Sequence, residues 1–338
     1  MKVDELKVKL STLEKNELIK MAVEFYKLIP KSKKEDYNLD ALINAPEVKI
    51  AKPSVSVPVI NIDALETEVN TFIVNAKEQY YLMPNRIVSK QERSKWRFKV
   101  KAWYKELINT KNAGSGIAKQ SAVLTTLYEL LCEACHYQYF SGDDPFDSVG
   151  VAQTDFFRSV LQLIEKSHGK IDIVNKGIGL IVNNPVNRHT LNSDLMVEFV
   201  NILDVPDVKY KALERTQMML EENNRKSQTT PKKQHYSYDH EEYKKNEKRN
   251  NLAELGFRLH ASLFEYKEAI QFYNQHAYKT DGEIKLYILI RLLFEIQKRD
   301  YIKSALEAAV KEGVKLRPSL VNLLKLLEEN KPLPKYLG

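Results

Sequence analysis

The sequence is poor in the residues from which most recognisable sites are built. It has two cysteines, Cys132 and Cys135, eleven glycines in 338 residues, and no run of 18 apolar residues. Two cysteines three positions apart cannot form a disulfide framework, so a reducing cytosol is the expected compartment. Scarce glycine disfavours all-β sandwiches and glycine-rich phosphate loops and suits long helices. Without a long apolar run there is no membrane-spanning helix to expect, and no membrane partner. The opening MKVDELKVKLSTLEKNELIK mixes both charge signs around no continuous apolar core, which fits neither a secretory signal nor a transit peptide.

Catalytic signatures are missing too. There is no G-x-S-x-G, Walker-type loop or H-E-x-x-H, and Gly177 and Gly179 form a GIG that lacks the third glycine of a dinucleotide fingerprint. Cys132, Cys135 and His136 match the C-x-x-C-H haem pattern, but they lie in a run of helical period without an export signal. As a zinc site they offer three ligands at most. A buried pair of small apolar thiols is the expectation. Asp143, Asp144 and Asp147 share the loop SGDDPFDSVG. Three carboxylates can hold a hard cation, yet the spacing is not that of an EF-hand loop, and turn and cap duty is expected. No cofactor, no metal and no catalytic residue are expected.

What is present is concentrated charge. Residues 84–111 hold nine Lys/Arg against two Glu, a surplus of seven that equals the net charge of the whole chain. Ser89 and Glu92 have capping-box spacing, which predicts a helix from near Lys90 to about Ile108. On such a helix Trp96, Val100, Trp103, Tyr104 and Leu107 share a core face, leaving Phe98, Tyr80 and Tyr81 as the candidate surface aromatics. Arg93, Arg97, Lys101 and Lys105 form a ridge at successive i, i+4 positions. Like charges at that spacing repel by a few tenths of a kcal/mol per pair, so the ridge calls for something acidic. Glu66, Glu68, Glu78, Glu129 or Glu133 would satisfy it from within. Phosphates or an acidic protein would satisfy it from outside, with Arg86 adding a donor.

The punctuation divides the chain into five stretches. Residues 1–45 read as an N-terminal helical unit, with Ser11 and Glu14 as a capping box and a stripe of Leu18, Met21, Ala22, Phe25 and Leu28. Proline-rich 46–60 reads as an extended linker, and 61–222 as a central helical domain carrying the basic helix. Within it, one run spans about Ile117 to Phe140. Helices are predicted at 154–167, 171–183, 190–203 and 207–222, with Thr154 and Ser193 or Asp194 as caps and Pro185 and Pro206 as breakers. Residues 223–250 have eight Lys/Arg, four acids and almost no aliphatic content, and read as a charged flexible linker whose end, from Asp239, extends the next helix. Residues 251–338 form the last domain.

In that domain Leu255, Gly256 and Leu259, then Tyr266, Ala269, Ile270, Tyr273 and Ala277, alternate small and large residues as a close helix pair requires. Ile290, Phe294, Tyr301, Ala305 and Ala308 roughly repeat them about 35 residues later. The pattern resembles tetratricopeptide-type helical pairs over about 70 residues. The expected fold is therefore all-α, a solenoid-like array of antiparallel helix pairs. The expected function is a non-enzymatic helical adaptor or scaffold binding another protein, with its contact surface in the C-terminal half. The alternative is a nucleic-acid-associated protein using the basic helix 89–108 for phosphate contacts. An enzyme built on Asp143, Asp144 or Asp147 is the third reading.

Overall fold

A computed structural model describes residues 3–31, 34, 39–44, 61–109, 115–225, 240–278 and 281–337. Among the described residues every regular element is helical, as the composition predicts. None of these helices is long and apolar enough to cross a membrane. The chain divides into two compact units, Met1–Pro58 and Val59–Gly338.

The first unit contains α1 (Val3–Ser11), α2 (Lys15–Leu28) and α3 (Leu39–Asn44). The capping interaction expected at Ser11 and Glu14 forms at the next turn: Glu17 accepts from the Glu14 backbone N–H at 3.1 Å. Tyr26 ties α2 to α3 by donating to Asp40 at 2.5 Å. The predicted stripe does not close into a core, because Leu18 and Met21 are half-buried while Phe25 and Leu28 are exposed. Helices this short cannot enclose their own apolar residues. The predicted 46–60 linker lies outside the described residues.

The second unit starts with α4 (Ile62–Lys77), whose cap Asn61 accepts from Ala64 N–H at 3.2 Å. Leu65, Val69, Phe72 and Ala76 recur at helical period and are its buried face. Next come α5 (Lys90–Arg93), α6 (Trp96–Asn109), α7 (Ser115–Glu133) and α8 (Pro145–Val149). The run predicted to reach Phe140 stops at Glu133. Beyond it the chain turns, which seats buried Phe140 on Trp96 with ring centroids 3.9 Å apart. That burial outweighs prolonging a helix through exposed His136 and Tyr137.

The helices α9 (Gln153–His168), α10 (Lys170–Asn183), α11 (Asn192–Ile202) and α12 (Pro206–Arg225) fall within one turn of their predicted spans. Pro206 opens α12 where its missing N–H costs nothing. Asp194 caps α11 by accepting from Leu191 N–H at 2.8 Å, whereas Thr154 lies inside α9. The GIG is a mid-helix packing feature: a Cβ on Gly177 would lie 2.6 Å from the Phe199 ring, so its absence lets α10 and α11 meet. Buried Gln153 joins the two loops above them, accepting from Asn187 N–H at 2.8 Å and donating to Pro185 O at 3.1 Å.

The long α13 (His240–Ser262) serves two cores at once. Leu252, Leu255 and Leu259 belong to the first, with α4 and α6 through α12; Ala253 and Phe257 belong to the second. That second core is completed by α14 (Tyr266–His276), α15 (Gly282–Glu295), α16 (Arg299–Lys311) and α17 (Pro318–Glu328). Of the stretch predicted as a charged linker, 223–225 end α12, 240–250 begin α13, and 226–239 lie outside the described residues. Helices α13 and α14 pack as a pair, as do α15 and α16. Gly256 makes the first pair close, since a Cβ there would lie 2.0 Å from the Phe272 ring. Tyr266 and Tyr301, at matching positions of the two pairs, touch with centroids 5.6 Å apart. In the second pair the buried face is Ile302, Leu306 and Ala309, while Ala308 is exposed.

Candidate partner-binding face

The basic segment forms two helices where one was predicted. The chain breaks stride at Ser94 and Lys95, so α5 and α6 are separate. The core face of α6 is as predicted, with Trp96, Val100, Trp103, Tyr104 and Leu107 all buried. Trp103 meets Phe72 edge-on at 5.2 Å. Of the three candidate surface aromatics, Tyr81 is buried, Tyr80 half-buried, and Phe98 is 60% exposed.

The break takes Arg93 out of the ridge. Its Nε donates to Val88 O at 3.1 Å and its Nη2 to Asn85 O at 3.3 Å. Asn85 organises the same loop: its Nδ2 donates to the carbonyls of Tyr80 and Met83, both at 2.7 Å, and its Oδ1 accepts from Ile87 N–H at 2.9 Å and Val88 N–H at 2.7 Å. Arg93 therefore holds a loop together. Lys101 is half-buried, its Nζ against Gly150 at the C-terminal end of α8, where a helix favours positive charge. Arg86, Arg97 and Lys105 are exposed, with Arg97 lying over the Phe98 ring at 4.9 Å from its centroid.

Among the described residues these cations meet no acid. Lys111 lies outside the described residues; of the other eight Lys/Arg between positions 84 and 111, none has a carboxylate within ion-pairing distance among the described residues. Elsewhere in the unit Lys77, Lys119, Arg158, Lys170, Arg188, Arg258 and Arg317 each meet one. Of the acids nominated to neutralise the ridge, Glu133 is engaged by Lys77 at 2.8 Å and by Tyr139 at 2.7 Å. Burial pushes Glu129 above the ordinary carboxyl value. Glu68 lines a cleft of about 350 Å³ between α4 and α6, with Glu92 and Lys99. The positive charge of Arg86, Arg97 and Lys105 thus faces outward unopposed.

The other sequence candidates resolve into packing and capping. Cys132 is buried against Gln153 Nε2 at 3.3 Å, and burial raises its thiol far above the ordinary value. Cys135 donates to Leu131 O at 3.3 Å, and burial, helped by Asp144, pushes it up to about 12. Thiols held protonated are poor nucleophiles and poor metal ligands. Asp144 caps α8 by accepting from Asp147 N–H at 3.0 Å. Ligand atoms of Asp144, Asp147 and His189 lie within 4.8 Å of one another, while Asp143 stands outside that group. Arg188 donates to Asp147 at 3.2 Å and to His189 at 3.0 Å, so two of the three groups already have a cationic partner.

A second surface feature was not legible as a site from the sequence. The first turns of α13, with Tyr273 and Arg291, line a polar cleft of about 390 Å³ that contains Asn246, Asn250 and Asn251. The only trace in the sequence is the spacing of those asparagines within NEKRNN, which composition assigns to a solvated arm. Comparison of the chain with protein-family models, with curated proteins and with solved structures returned no match.

Proposed function

We propose that this chain is a non-enzymatic helical adaptor that binds an acidic protein through the face of α5 and α6. The observation that carries the proposal is the row of eight cations from Arg86 to Lys105, none of which has a carboxylate within ion-pairing distance among the described residues, whereas Lys77, Lys119 and Arg158 in the same unit each meet one. Exposed apolar side chains in the same segment favour protein over nucleic acid. Met83, Ile87 and Phe98 are 56%, 63% and 60% exposed. Arginine beside apolar and aromatic residues is the composition of a protein interface centre, and a phosphate backbone gains nothing from Ile87 or Met83. The paired helices of the C-terminal half, with their tetratricopeptide-like spacing, suit a scaffold. Two unpaired, buried or half-buried thiols suit a reducing cytosol.

The nucleic-acid reading rests on the same unopposed charge and has one exposed aromatic, Phe98, to offer as a stacking platform. Affinity purification with the wild type and with Arg86→Glu/Arg97→Glu/Lys105→Glu, each with and without nuclease, separates the two. The adaptor reading expects a protein retained by the wild type after nuclease treatment and lost from the folded triple variant. Recovery that disappears with nuclease contradicts it.

A further inference from the structure

The cleft beside α13 holds two hydrogen-bonding groups without a partner among the described residues. Tyr273 is 2% exposed and lines the cleft, yet its hydroxyl has no hydrogen-bond partner among the described residues. Arg291 Nε, on the opposite wall, is shielded from solvent and also lacks a hydrogen bond. The reason lies in Arg258. It takes Glu254 Oε1 at 3.0 and 2.8 Å and Glu295 Oε2 at 2.9 Å, which leaves Arg291 with those acids only at 3.8 and 3.9 Å. Arg291 Nε is a buried donor without a hydrogen bond, which is uncommon in folded proteins, and the Tyr273 hydroxyl reaches the cleft from an otherwise buried side chain.

The floor of the cleft indicates which molecule. Asn246 and Asn250 stand one helical turn apart in a single row, with Asn251 beside them. Residues four apart on a helix are separated by about 6 Å, and alternate residues of an extended chain by about 6.8 Å. The Asn246 carboxamide offers two donors and an acceptor, so it can meet both the C=O and the N–H of a peptide main chain, while Asn250 Oδ1 already accepts from Tyr278 N–H at 2.8 Å and leaves its Nδ2 to donate to a C=O. The charged lining is Glu247, Glu254 and Arg291, with no positive excess to attract phosphate. We infer that this cleft binds an extended peptide segment by its main chain, with Asn246 pairing with one residue through both amide groups, Asn250 Nδ2 donating to the carbonyl two residues along, and Tyr273 and Arg291 donating to further carbonyls. The site is separate from the basic face and shares with the adaptor reading only the premise of a protein ligand.

The test pans a displayed library of random linear peptides on the full-length protein and, in parallel, on Tyr273→Phe/Asn246→Ala. Selected peptides are then synthesised with and without N-methyl groups on alternate amides. The expected result is tenfold or greater loss of binding on Tyr273→Phe, on Asn246→Ala and on N-methylation, with Tyr273→Phe melting no lower than wild type. Binding should persist in Arg86→Glu/Arg97→Glu/Lys105→Glu. Three results overturn the inference: no peptide enriched over the double variant, N-methylated peptides binding equally well, or Tyr273→Phe melting well below wild type. Binding lost only in the charge-reversed variant would also overturn it, while leaving the proposed function standing.

Discussion

Arg93 donates from Nε to the Val88 carbonyl at 3.1 Å, folding its guanidinium back onto the loop that precedes its own helix. Arg97, four residues later, turns outward over Phe98 instead. Adjacent members of one sequence ridge therefore do different work, and substitution separates them. Arg93→Ala leaves the Val88 and Asn85 carbonyls without this donor, and a loss of about 1–3 kcal/mol is expected by urea denaturation. Arg97→Ala should change stability by about 0.5 kcal/mol or less while weakening partner binding. Equal stability losses in the two variants would refute the distinction.

Gly256 is required by Phe272. A methyl group at Gly256 would sit 2.0 Å from the ring, so α13 and α14 must part or the ring must move. Gly256→Ala is expected to destabilise by about 1–3 kcal/mol through overpacking, read as a lower melting temperature. A neutral effect would mean that the pair is looser than the geometry shows.

His276 gives the C-terminal helices a pH limb. It is buried, and burial, reinforced by Arg249 and partly opposed by Glu221, lowers its pKa. The folded state therefore prefers neutral His276, and the unfolded chain takes up the proton more readily. Stability from this group is fully present above the unfolded value of about 6.5 and falls as pH drops through it. Urea midpoints at pH 7.5 and 5.5 should differ in the wild type and converge in His276→Gln. An unchanged difference in the variant would assign the limb to another group.

The two thiols should be inert in the folded protein. With Cys135 pushed up to about 12 and Cys132 more deeply buried, alkylation at pH 8 is expected to run on the order of a thousandfold slower than in urea. Rapid native labelling would show that burial is not controlling the thiolate.

Much of the scaffold was legible in the sequence because amphipathic period is a local property. The spans of α9 through α12 followed from helical period and proline breakers, and the core face of α6 was named in full. What was not legible depends on distant partners. The end of α7 is set by Phe140 meeting Trp96, and the break between α5 and α6 accompanies Arg93 and Asn85 bonding one loop; neither has a local signature. The opening of α13 was hidden by composition, since Asn246 and Asn250 sit among charged residues and acquire their meaning from Tyr273 and Arg291 across the cleft. The first-unit stripe of Leu18 to Leu28 does not become a core, because period says which face is apolar and not what covers it.

The most direct test of the basic face is a fluorescence-anisotropy titration of the full chain with a labelled polyglutamate peptide and, separately, with single- and double-stranded RNA of matched charge. Each should be run at low salt and at about 0.15 M, where the Debye length is about 8 Å. The expected result is salt-sensitive binding of the acidic peptide, stronger than binding of either RNA, and abolished by Arg86→Glu/Arg97→Glu/Lys105→Glu in a variant that melts like wild type. Binding of RNA in preference to the peptide, or peptide binding that survives the triple reversal, would contradict the assignment of this face to an acidic protein.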